Sequence, residues 1–194
     1  MNRKKVLVVV DAQNDFITGV LGSKEAEEAA VNIVDYINNE DWDLILTTQD
    51  IHDREGYFNS REGKKIPTLH CEVDRKGSLI QKDIKDAIKN KQAMSYPLFK
   101  NTFSMSPYEI DCALDNFFKY DYARDYYFDG IDFYFCGFCT DICVISNVFT
   151  FMTSKRNLRA YNTFYVKEDC CAGSTPEKHK AALEVMKSCL VEII

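Results

Sequence analysis

Residues 131–149 read Ile131-Asp132-Phe133-Tyr134-Phe135-Cys136-Gly137-Phe138-Cys139-Thr140-Asp141-Ile142-Cys143-Val144-Ile145-Ser146-Asn147-Val148-Phe149. An apolar run, a glycine and a second apolar run in this order read as strand, tight turn, helix. Cys143 falls in the first helical turn, where the helix dipole and unpaired N–H groups stabilise a thiolate. A cysteine so placed is a candidate nucleophile.

The same alternation extends in both directions. Further strands are expected at Val6–Val10, Leu44–Thr48, Ala93–Leu98, Leu158–Val166 and, shortest, Leu190–Ile194. Helices are expected at Glu25–Asn38, with Ala26, Ala29, Ala30, Ile33, Val34 and Ile37 on one side, and at Leu79–Lys89 and Asp141–Met152. Ser106-Pro107-Tyr108-Glu109 opens another through a capping box with proline at the first position, and Thr175-Pro176 caps a last one running to about Ser188. Val6–Val10 is the continuous aliphatic run of a strand buried on both faces. The pattern predicts an α/β fold of three αβα layers, a mostly parallel sheet with helices on both faces, in a single domain spanning 1–194. Between Gln49 and Gly77 the chain is polar and poorly periodic and reads as a long functional loop.

Composition excludes several classes. With 194 residues, 46% of them hydrophobic, the chain can build a sizeable core. A net charge of -6 and the lack of a basic run argue against nucleic acid, and no apolar stretch approaches the roughly 20 residues that span a bilayer. The opening Met1–Asp11 has too short an apolar segment for a signal peptide and ends on an acid, so a cytoplasmic location is expected. The eight cysteines then read as reduced thiols, with Cys71, Cys112 and Cys189 as buried small residues. A redox role for Cys170-Cys171, or a thioredoxin or zinc role for Cys136-Gly137-Phe138-Cys139, has little support from spacing.

Parallel α/β sheets bind ligands beyond the carboxyl ends of their strands. Asp11 ends the first strand, Asp50 and His52 follow the second, Lys100 the third and Cys143 the fourth, so all converge on one edge. Taken singly, Asp11 reads as a turn acid, Lys100 as a solvated charge and Cys143 as a small core residue. Together they supply the acid, cation and thiol that amide cleavage through a thioester needs. Asp50-Ile51-His52 puts a carboxylate and an imidazole on one side of an extended segment, and Glu62 and His70 share the loop that follows. Two histidines and two carboxylates suit a divalent ion, Zn, Fe, Mn or Co, with positions left for water. His179 reads as a residue of the last helix rather than a ligand.

Five segments resemble, in order, the nicotinamidase branch of the isochorismatase-like cysteine hydrolases. They are Val8-Val9-Val10-Asp11-Ala12-Gln13-Asn14-Asp15-Phe16, Thr48-Gln49-Asp50-Ile51-His52, Glu62-Gly63-Lys64-Lys65-Ile66-Pro67-Thr68-Leu69-His70-Cys71, Lys100-Asn101-Thr102-Phe103 and Gly137–Val144. The resemblance implies Asp11, Lys100 and Cys143 as catalytic triad, with Asp50, His52, Glu62 and His70 holding one divalent metal ion, zinc first. It further implies a cis peptide before Cys139, backbone N–H groups of Cys139 and Cys143 as an oxyanion hole, and Phe16 and Phe103 as walls for a flat ring. The implied activity is hydrolysis of nicotinamide to nicotinate and ammonia by a homo-oligomeric enzyme. Alternatives are a relative acting on another small amide or carbamoyl compound, and a catalytically silent member that binds a small ligand. Two departures stand out: Tyr57-Phe58 occupies the region where some members carry a third metal histidine, and Cys139 replaces a residue that is commonly small and not a thiol.

Overall fold

A computed structural model describes residues 3–118, 120–121, 126–127, 130–154 and 162–194. In chain order these form β1 (Lys4–Val10), a one-turn α1 (Asn14–Ile17), α2 (Lys24–Asn39), β2 (Leu44–Asp50), α3 (Arg54–Asn59), α4 (Arg61–Lys65), α5 (Lys82–Asn90) and β3 (Met94–Lys100). There follow α6 (Pro107–Asp115), the two-residue strands β4 (Tyr120–Asp121) and β5 (Tyr126–Tyr127), β6 (Ile131–Phe138), α7 (Ile145–Thr153), β7 (Thr163–Ala172), α8 (Pro176–Ser188) and β8 (Glu192–Ile193). Six strands make one parallel sheet in the order β3-β2-β1-β6-β7-β8, while β4 and β5 pair antiparallel apart from it.

The chain winds outward from β1 through β2 to β3, then crosses back to β6 and winds the other way. The order therefore reverses between β1 and β6, and the carboxyl ends of those two strands open the crevice where such sheets bind ligands. β1 lies at the centre, and Val6 to Val10 are fully buried, as the unbroken aliphatic run requires. β6 shows the period of two that layers the fold. Phe133 and Phe135 point to one face and meet Phe151 of α7 at ring distances of 5.5 and 5.3 Å, whereas Tyr134 points to the other and meets Trp42 at 5.4 Å. α2 covers that second face, burying Ala26, Ala29, Ala30, Ile33 and Ile37, and Ser23 caps it by accepting from the Ala26 N–H. Pro97 lies in β3, the edge strand, where a missing N–H costs the ladder least.

Gly137 is required where β6 meets β1. It sits at φ +120, paired with Val10, and a Cβ there would lie 1.9 Å from the Val10 carbonyl oxygen. The expected capping box is present at α6, with Ser106 and Glu109 each bonding the other's backbone N–H. Other expectations shift. The segment 49–77 holds two short helices, α3 and α4, capped by Asp53 and Ser60; at six and five residues they are too short for a hydrophobic period to announce them. The strand expected at Leu158–Val166 begins at Thr163 and runs on to Ala172, its expected first residues lying outside the described ones. Cys112, within α6, and Cys189, just past the end of α8, are exposed rather than buried, whereas Cys71, Cys170 and Cys171 are buried. Among the described residues, no helix is long and apolar enough to cross a membrane.

Candidate active site

Each strand delivers its functional residue by its register. Asp11 follows the last residue of β1, and its N–H donates to the Thr48 carbonyl at 3.1 Å and to the Thr48 hydroxyl oxygen at 3.2 Å. The Thr48 hydroxyl donates in turn to Asp11 Oδ1 at 2.6 Å. These bonds hold Asp11 at φ 47, a left-handed conformation that a side chain adopts only when its surroundings impose it. Asp50 and Lys100 are paired in register at the ends of β2 and β3. As a result Lys100 Nζ reaches across the sheet edge to within 2.6 Å of Asp11 Oδ2, 3.6 Å of Asp50 Oδ1 and 3.8 Å of Cys143 Sγ. The three expected triad residues therefore meet around one amine, and all are at least nine-tenths buried.

Cys143 arrives through the turn after β6. The Phe138–Cys139 peptide is cis, and the Val144 N–H bonds back five residues to the Cys139 carbonyl, so Thr140–Val144 form a widened turn ahead of the regular helix. The sulfur is only 4% exposed. Burial pushes its thiol well above the ordinary range and the Asp11 charge adds to that, while Lys100 only partly opposes them. Desolvation thus outweighs the helix start and favours the thiol over the thiolate at rest. Burial likewise raises the Asp11 carboxyl against the pull of Lys100, so Asp11 has proton affinity to spare. Burial would lower the Lys100 amine, but the charges of Asp11, Cys143 and Asp50 and the hydrogen bond to Asp11 together raise it, and it stays charged.

The second cluster lies alongside. His52 Nε2 is 2.9 Å from Asp50 Oδ2 and 4.0 Å from Glu62 Oε2; His70 Nε2 is 3.6 Å from Asp50 Oδ2 and 3.5 Å from Glu62 Oε1. One donor atom from each of Asp50, His52, Glu62 and His70 lies within 4.8 Å of all the others. Two donors on one ion with bonds of about 2.2 Å can be at most about 4.4 Å apart, so a small inward movement fits the set to a divalent cation. Outer partners orient the ligands. The His70 Nδ1–H donates to the Thr68 carbonyl at 3.0 Å, which leaves the Nε2 lone pair facing the cluster. The Tyr57 hydroxyl donates to the Ile66 carbonyl at 2.6 Å, and its buried ring packs edge-on against both imidazoles. Tyr57, standing where some relatives were expected to carry a histidine, therefore supports the cluster from outside it. Burial would raise the Asp50 carboxyl, but hydrogen bonds from His52 and His70 hold it well below the usual range. Burial and the Asp50 charge raise Glu62.

A cavity of about 320 Å3 joins the two clusters, lined by Asp50, Glu62 and His70 on one side and Cys139 and Cys143 on the other. Both expected aromatic residues line it. Phe16 is buried edge-on to His70 at 5.3 Å, and Phe103 is 42% exposed.

Several residues that hold this geometry were not singled out from the sequence. Gln13 accepts from the Asp50 N–H at 2.8 Å and donates to the carbonyls of Asp50 and Ser78, locking the exit of β1 to the end of β2. Asp15 accepts from the Cys71 N–H at 2.7 Å and so ties down the histidine loop. Asn147 donates to the Cys143 and Phe103 carbonyls and accepts from the Met105 N–H, joining the nucleophile's helix to the loop of Phe103. Asp141 accepts from the Ser174 N–H and hydroxyl at 2.7 and 2.6 Å, and His179 pairs with the Thr140 hydroxyl at 2.8 Å, so α8 is fastened to the same turn. The presence of Gln13 and Asp15 inside the first matching segment, and of Thr140 and Asp141 inside the last, was the available signal; the bonds of Asn147 and His179 are visible only in space.

Comparison with known proteins finds relatives along the whole chain and solved structures of the same fold. A curated nicotinamidase of Schizosaccharomyces pombe (strain 972 / ATCC 24843) is 24% identical over 216 aligned positions, covering 100% of this chain and 94% of that protein. The yeast nicotinamidase, solved bound to the inhibitor nicotinaldehyde, superposes with a TM-score of 0.72 at 19% identity, with 98% of this chain and 99% of that one covered. A pyrazinamidase of Pyrococcus horikoshii solved in complex with zinc gives 0.70 at 22% identity, covering 98% of each chain. The Isochorismatase domain model matches residues 5–194, and the chain therefore belongs to the isochorismatase-domain family.

Proposed function

We propose that the chain is an amidohydrolase that cleaves the carboxamide C–N bond of nicotinamide, releasing nicotinate and ammonia. The observation that carries this reading is the buried amine of Lys100, 2.6 Å from the Asp11 carboxylate and 3.8 Å from the Cys143 sulfur, beside a pocket sized for one ring. In the first half-reaction the Cys143 sulfur bonds to the carboxamide carbon while Asp11 takes the thiol proton. The carbon–nitrogen bond then breaks, and Asp11 returns that proton to nitrogen as ammonia departs. Water next adds to the thioester carbon as Asp11 accepts its proton, and the carbon–sulfur bond breaks as Asp11 passes that proton to the sulfur, restoring thiol and carboxylate. Lys100 keeps Asp11 charged when it must accept and steadies the thiolate that forms as the proton leaves. The N–H groups of Cys139 and Cys143 are assigned to the oxyanion, a role worth about 10² to 10³ in rate for each donor in comparable sites. Phe16 and Phe103 are assigned to the faces of the ring.

Asp50, His52, Glu62 and His70 would hold a divalent ion, with zinc the first choice for this donor set. When bound it supplies a Lewis acid able to take the lone pair of a ring nitrogen, which selects a pyridine over a benzene ring and fixes its orientation. The aromatic residues Phe16 and Phe103 in the pocket lining, together with this donor set, favour nicotinamide over open-chain carbamoyl compounds. Ammonia release from nicotinamide should vanish in Cys143→Ala while zinc content, read by elemental analysis, stays at the wild-type level. Turnover retained in that variant refutes the assignment.

A further inference from the structure

The pocket does not end at the ring site. Past Phe103, Ile66 and Glu62, which line both spaces, it adjoins an outer chamber of about 640 Å3, twice the inner volume. A bare pyridine carboxamide has no group to place there. The chamber's charged side chains other than Glu62 are all cations: Arg61, Lys64 and Lys65, from α4. Glu62 does not neutralise them, because its two oxygens face His52 and His70. A fourth cation, Lys178, lines the inner pocket itself.

Lys178 is placed against local electrostatics. Thr175 caps α8 and Pro176 is its first residue, so Lys178 sits in the first turn, where a positive charge opposes the helix dipole. Asp141, on the turn before α7, accepts from the N–H and hydroxyl of Ser174 and forms no ion pair with Lys178. Among the described residues neither Lys178 nor Arg61, Lys64 or Lys65 makes an ion pair, although the chain as a whole carries a net charge of -6. An acidic protein that gathers unpaired cations of one sign around one mouth concentrates anions there.

We propose that the entrance selects anionic amides: a small ring carboxamide that also carries a carboxylate, with the ring in the inner pocket and the acid group between Lys178 and the α4 cations. The proposal rests on the ring-amide reading of the inner pocket and specifies its substrate class. Lys178 and Lys65 act here as specificity residues and take no part in bond making.

Binding, rather than turnover, tests it. The Cys143→Ala protein, loaded with zinc, is titrated by calorimetry with nicotinamide and with 5-carbamoylpyridine-3-carboxylate, which differ only by the acid group. Each exposed pair contributes up to about fivefold, so two cations should favour the acid by about tenfold at low salt. That preference should fall to about twofold in Cys143→Ala carrying Lys178→Met and Lys65→Met, should survive Lys178→Arg, and should fade in about 0.5 M salt. The salt series uses no charge variant and reads the same attraction if those variants fold poorly. Equal affinities, or a preference untouched by both salt and the lysine substitutions, overturn the proposal while leaving the ring site intact. Failure of both compounds to bind overturns the ring site and this proposal together.

Discussion

Asp11→Asn should make Cys143 more reactive and the enzyme inactive at the same time. In the wild-type site the Asp11 carboxylate opposes ionisation of the sulfur and Lys100 favours it, with burial adding to the opposition. An ammonium 3.8 Å from a thiolate contributes about 4 kcal/mol at an effective dielectric of about 20, or about a thousandfold in ionisation. The amide keeps the shape of the acid and removes its charge, leaving that attraction opposed only by Asp50, which is also 3.6 Å from the amine. If half the attraction survives, the thiolate population at neutral pH rises about thirtyfold; the less basic sulfur is intrinsically slower, so the net gain in alkylation is about sixfold. Turnover should fall about 10² to 10⁴-fold, because no group remains to carry the proton from sulfur to the departing nitrogen. The assay is the rate of iodoacetamide labelling of the peptide containing Cys143, followed by mass spectrometry so that exposed Cys112 and Cys189 do not contribute, beside ammonia release by the same preparation. Labelling that stays unchanged or slows in Asp11→Asn would show that the acid and amine do not govern the thiol, and the catalytic reading would fall with it.

The remaining predictions concern the scaffold and the ion. Dialysis against a chelator should lower the thermal midpoint and restore it on adding zinc, since an ion present at a hundred times its dissociation constant stabilises by about 2.7 kcal/mol; His70→Ala should abolish that response, and a midpoint indifferent to zinc in the wild-type protein counts against a metal centre. Gly137→Ala should be destabilised by more than about 3 kcal/mol in urea denaturation, because its Cβ would lie 1.9 Å from the Val10 carbonyl oxygen at a positive φ; near-wild-type stability would mean that β6 does not approach β1 so closely.

The alternation of strands and helices was legible in the chain because burial on both faces of a parallel sheet leaves continuous aliphatic runs such as Val6–Val10, and because capping residues mark helix starts as at Ser106 and Thr175. The site residues were legible too, since each of Asp11, Asp50 and Lys100 stands at or just past the carboxyl end of a strand and a parallel sheet brings those ends to one edge. Local sequence says nothing, however, about how deeply a group is buried or which charges from distant strands surround it. That is why the helix start, which stabilises a thiolate, does not by itself give the balance at Cys143, where desolvation and Asp11, 132 positions away in the chain, favour the thiol. The same limit hid the supporting bonds of Gln13, Asn147 and Asp141, the exposure of Cys112 and Cys189, and the place of Lys178 in the lining of the pocket. Periodicity and capping act over a few residues and can be read along the chain; protonation, support and access depend on distances between segments, and only folding determines those.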